Sequence, residues 1–155
     1  MSITLVDKQK IDKYLNSKGV DDITYLEMCE AIGKKGKITD VEFLEYFTDY
    51  VVDYFRTKER LYLKKITKIV YTVGAFLQFS KESNSEVSED ILNKIRSFRD
   101  LYNEFLERTG TNINSEFSEF NDNCIGYILN KVNKLYPSEE KHESKYINKI
   151  QTLNE

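Results

Sequence analysis

Proline is almost missing from this sequence, which has one in 155 residues, and glycine is scarce at six. Several short strands need that punctuation between them, so an all-β domain is excluded. Histidine is down to His142, in the charged company of Glu140, Lys141 and Glu143. One histidine builds no histidine metal cluster and leaves a serine or cysteine nucleophile without its usual base. The two cysteines, Cys29 and Cys124, lie in amphipathic patterns with no paired metal-ligand spacing. Both are expected as reduced, buried thiols. The GKKGK stretch lacks the spacing of a phosphate loop. Neither sign of charge dominates, since 23 basic against 26 acidic residues leave −3. The chain as a whole has no electrostatic reason to seek nucleic acid or an anionic membrane.

Long uninterrupted apolar runs are missing too. The most apolar stretch, Leu61–Phe79, contains Lys64, Lys65 and Lys68, so no membrane span is expected. The opening MSITLVDKQKIDKYL has no continuous apolar core of a signal peptide, and a cytoplasmic location is the expectation. Lysine far outnumbers arginine, and asparagine, isoleucine and tyrosine are common. That bias points to an AT-rich genome, bacterial or phage-like.

What the chain does have is helical periodicity. In Leu61–Phe79, Ile66, Ile69, Val70, Val73, Phe76 and Leu77 recur at helical spacing, with Tyr71, Ala75 and Phe79 around the rest of the circumference. A helix apolar nearly all round is surrounded by other helices, so this stretch is expected as the buried centre of the fold. A first helix is expected over about 7–17. Thr24 with Glu27, and Thr39 with Glu42, repeat one capping-box device, each with an apolar staple (Ile23/Met28 and Ile38/Phe43). From Thr39 to Glu82 there is no proline. One unbroken helix there would run roughly 65 Å, against a radius of gyration of about 15 Å for a domain of this length. A break is therefore expected near Arg56–Arg60. Ser88 caps a further helix whose seam, Ile91, Ile95, Phe98, Tyr102 and Phe105, ends at Gly110. Another is expected over about 114–135, stopped by Pro137, and the segment 138–155 is expected to fray. The expectation is an all-α, single-domain bundle of six to seven helices spanning 1–155.

Two local resemblances bear on chemistry. Ala31–Phe43 resembles the second half of an EF-hand calcium loop at Gly36, Ile38, Glu42 and Phe43. Its first, third and fifth ligand positions fall on Ala31, Gly33 and Lys35, which offer no side-chain oxygen, so no calcium is expected. The same region has the outline of a helix-turn-helix, but its second helix would present Asp40, Glu42, Glu45 and Asp49 to phosphate. Glu-x-x-Glu pairs at Glu42/Glu45, Glu86/Glu89, Glu104/Glu107 and Glu116/Glu119 are similar to those of helical magnesium-dependent nucleotide hydrolases. That family wants a Glu-x-x-Glu followed shortly by a separate Glu-x-x-Asp. The one Glu-x-x-Asp here, Glu119/Asp122, overlaps the Glu116/Glu119 pair, and such spacings are ordinary on exposed helices.

The remaining expectation is a non-enzymatic helical protein–protein interaction module (a regulator, inhibitor or assembly subunit) with no cofactor and no metal. Tyr46, Tyr50 and Tyr54 are its candidate interface residues, for a protein partner or a second copy, because tyrosine is favoured at contact hot spots. The alternative is a subunit that touches nucleic acid through a basic band of Arg56, Lys58, Arg60, Lys64, Lys65 and Lys68, with only Glu59 against it and with Tyr62 and Tyr71 among them. Lys94, Arg96 and Arg99 are candidates to extend that band.

Overall fold

The computed structural model describes residues 3–20, 25–33 and 38–138. Among them the chain is all-α, 77% helical, with seven helical rods and no strands. In order these are α1 (Leu5–Ser17), α2 (Tyr25–Ala31), α3 (Asp40–Thr57), α4 (Leu63–Glu82), α5 (Glu89–Arg96), α6 (Phe98–Thr109), and a last rod made of α7 (Ser115–Glu119), a π-helical turn (Phe120–Ile125) and α8 (Gly126–Leu135).

The ends follow from side chains that satisfy free backbone groups. Thr4 caps α1 in a reciprocal box with Asp7. Thr39 Oγ1 accepts from the Glu42 N–H at 3.1 Å and donates to its carboxylate at 3.1 Å, while Ile38 and Phe43 are both buried beside the cap. Ser88 and Asn114 accept from Ile91 and Phe117 in the same way. Gly110 ends α6 with φ +63°, a left-handed conformation that glycine adopts without penalty. The Thr24/Glu27 box, the GKKG turn and the segment 139–155 lie outside the described residues.

The centre is α4, as its sequence implies: Ile66, Val70, Val73, Ala75, Phe76, Leu77 and Phe79 are all buried. It packs against α3, α8, α1 and the π turn. On the α3 side Phe76 stacks on Phe43, with ring centroids 5.0 Å apart, and near Phe47 at 6.2 Å. On the α8 side α4 presents Gly74, where an added Cβ would come within 3.0 Å of the Tyr127 hydroxyl. A glycine here is what lets the Tyr127 ring lie on α4. The core cluster draws residues from every rod, with Cys29 contributed by α2.

Two expectations are corrected. The helix after Ser88 is not one rod: Ser97 breaks it, its hydroxyl donating to the Lys94 carbonyl at 2.7 Å, a local bond that competes with the helical ladder. The apolar seam runs on across the break, which is why periodicity hid it. The 114–135 helix is continuous but contains the π turn, whose i→i+5 closure sets Phe120, Cys124 and Ile125 together in the core.

Candidate functional site: the α3–α4 corner and its groove

The chain turns between Thr57 and Leu63, the break that the length of the 39–82 stretch demands. Tyr54 holds this corner from inside. Its hydroxyl donates to the Arg60 carbonyl at 3.0 Å and accepts from the Tyr62 N–H at 2.9 Å. Its ring is only 3% exposed, and burial pushes the phenol pKa up. Arg108, reaching over from α6, donates to the carbonyls of Phe55 (3.1 Å) and Lys58 (2.6 Å), satisfying the free end of α3. Tyr54 is therefore a core residue. A side chain with no surface has nothing to offer a partner.

Tyr46 and Tyr50 are half-buried. Tyr46 packs edge-on against Phe47 and borders a hollow of about 310 Å³ with Ile32, Ile38, Glu42, Glu45 and Asp49. Tyr50 carries Lys65 against its face, the ammonium 5.6 Å from the ring centroid. The Tyr50 hydroxyl beside it raises the Lys65 pKa.

The basic band is thus divided by helix geometry. Lys65 turns toward Tyr50, while Lys64 and Lys68, four residues apart, border a groove between α4, the end of α1 and the last rod. Arg56, Lys58 and Arg60 are exposed along the corner, and Tyr62 stands among them at 61% exposure. Among the described residues none of Arg56, Lys58, Arg60, Lys64 or Lys68 is in an ion pair. Lys94, Arg96 and Arg99 do not join them. Lys94 bridges Asp49 and Asp90, which raises its pKa. Arg96 holds Glu89 and the Tyr136 carbonyl, and Arg99 reaches Asn121.

The groove encloses about 540 Å³, within the usual range for small-ligand sites. Val20, Leu63, Phe120 and Cys124 give it an apolar lining, and Tyr71 is half-buried in it. Lys18, Lys64 and Lys68 supply cations, while Glu116, Glu119 and Asn123 come from the last rod. Behind it Tyr71 packs on Tyr127 with centroids 4.9 Å apart, and the Lys18 ammonium lies 4.7 Å over the Tyr127 ring. Lys131 sits over Tyr14 and Tyr127; burial, then the nearby Lys18 charge, lower its pKa. Burial pushes the Cys124 thiol up to about 12, so it is no nucleophile at neutral pH. Sequence reasoning missed this groove. One signal was available: Phe120/Cys124 and Ile125/Ile128/Val132 form two apolar tracks offset by one residue, the mark of an extra residue in a helical turn.

The Glu-x-x-Glu pairs do not meet. Glu42/Glu45 border the hollow and Glu116/Glu119 the groove. Among the described residues no three His, Cys, Asp or Glu side chains are grouped so as to hold a metal ion, and no helix is long and apolar enough to cross a membrane.

What fold and surface define is an all-α bundle with a basic corner beside a mixed-charge groove. No protein-family model, curated protein or solved structure matches this chain.

Proposed function

We propose that this chain is a non-enzymatic helical module that works by contact, and that its working surface is the α3–α4 corner, which takes single-stranded nucleic acid. The observation that carries the reading is the set of exposed cations that have no ion pair among the described residues, Arg56, Lys58, Arg60 and Lys64, around the exposed ring of Tyr62. Cations that the fold does not neutralise favour a polyanion, and an exposed ring among them offers a base a stacking surface. The net charge of −3 is a sum over the whole chain, whereas within 56–68 only Glu59 stands against six basic residues.

Anisotropy titration of labelled single strands against rising salt tests it. Binding should weaken steeply with salt, and Lys64→Glu with Lys68→Glu should lower affinity by at least roughly tenfold with helicity unchanged. Binding untouched by that double reversal refutes the reading.

A protein-contact reading keeps one specific support, the hollow beside Tyr46. Its apolar wall of Ile32 and Ile38 and the exposed carboxylate of Glu45 suit a basic segment of a partner protein. Capture of the same partner from nuclease-treated and untreated lysate, lost on Tyr46→Ala with Glu45→Lys, would favour it.

A further inference from the structure

We infer that the groove beside the corner is a base-reading subsite, seating one guanine of the strand that the corner holds. The inference rests on the nucleic-acid reading above and adds to it a chemical preference.

Two halves of the groove pull in opposite electrostatic directions. Lys64 and Lys68 belong to the α4 wall, continuous with the basic corner through Leu63 and Tyr62. Glu116 and Glu119 stand on the last rod, bordering the same space. Among the described residues none of these four side chains is in an ion pair, so the groove's cations and carboxylates are not paired with one another. An anion alone would meet the glutamates, and a cation alone the lysines. The matching ligand has a phosphate on one side and N–H donors on the other, with a flat apolar body between. A nucleotide within a strand has that order of groups.

Among the bases guanine fits the acidic wall best. Its N1–H and N2 amino group are adjacent donors on one edge, spaced to meet both oxygens of one carboxylate. Adenine and cytosine offer the amino group beside an acceptor, which a carboxylate repels. Single strands leave these edges open, and proteins read them there. The remaining groups are consistent with that seat. Tyr71, half-buried, supplies a ring, Val20 and Phe120 supply apolar wall, and Asn123 supplies an amide for the base acceptors. The π turn has a part in this, since Phe120, Asn123 and Cys124, all within it, line the groove.

The test uses the full chain and thymine strands of about 12 nucleotides, each with a single central guanine, adenine, cytosine or hypoxanthine. Hypoxanthine is guanine without the N2 amino group. The guanine strand should bind about tenfold more tightly than the thymine-only strand, and hypoxanthine should lose most of that gain. Glu116→Gln and Glu119→Gln are exposed, charge-removing changes; together they should abolish the guanine preference, while the thymine strand, relieved of two repelling charges, binds no less tightly. Equal affinity for every strand, or a guanine preference that survives both substitutions, overturns the base-reading subsite while the corner reading stands. Binding of no strand at all overturns both.

Discussion

Between Asp40 and Asp49, three of the four carboxylates of α3 have an internal partner: Thr39 takes Glu42, Lys94 spans Asp49 and Asp90 of α5, and Asp40 is buried beside Ser80 and Ser85. At the C-terminal end the polar work is done by Tyr54 and Arg108 through backbone carbonyls, and the cations of the corner are left facing water. One helix therefore has an end whose charges serve the fold and an end whose charges do not. The difference teaches where a substitution should act. Changes at the first end, or beneath the corner, should appear as stability, and changes on the surface of the corner should appear as binding.

Tyr54→Ala should have the largest effect, removing a buried ring and both hydrogen bonds of the turn; a loss of about 3–5 kcal/mol in a urea melt is expected. Retained stability with lost binding would put Tyr54 back on a contact surface and break the comparison. Gly74→Ala comes next. Helix propensity favours alanine by about 1 kcal/mol, but the new Cβ would press on a Tyr127 ring already packed against Tyr71. A net loss of about 1–2 kcal/mol is expected by calorimetry. Thr39→Ala removes the α3 cap and should cost about 1 kcal/mol in the same melt. Lys64→Glu with Lys68→Glu should move stability by no more than about 0.5 kcal/mol while lowering strand affinity, the sharpest separation of the two roles. The smallest change is kinetic: with its thiol pushed up to about 12, Cys124 should react with a disulfide reagent at about pH 8 only as fast as the chain opens. Its thiolate becomes the major form only above that high pKa, so rapid labelling of the folded protein at about pH 8 would contradict the burial.

Much of the fold was legible because local devices name themselves. Thr39 with Glu42, Ser88, Gly110 and the apolar circumference of 61–79 each specify a helix end or centre, whatever surrounds them. The break near residue 60 followed from length alone. Ser97 was not legible, because Ile95 and Phe98 keep helical phase through it. The site was less legible than the fold. Tyr46, Tyr50 and Tyr54 share one spacing, yet one is core, one lines a hollow and one carries Lys65.

By itself, then, the sequence determined the helices, their caps, their order and the buried centre at α4, since these depend on contacts within a few residues of one another. Tertiary structure alone decided that Arg108 caps α3 from a different helix, and that Glu116 and Glu119 come to line one groove with Lys64 and Lys68. Those relations join residues some 50 apart, and periodicity carries no information over that distance: it says which face of a helix is apolar, not which other helix will cover it.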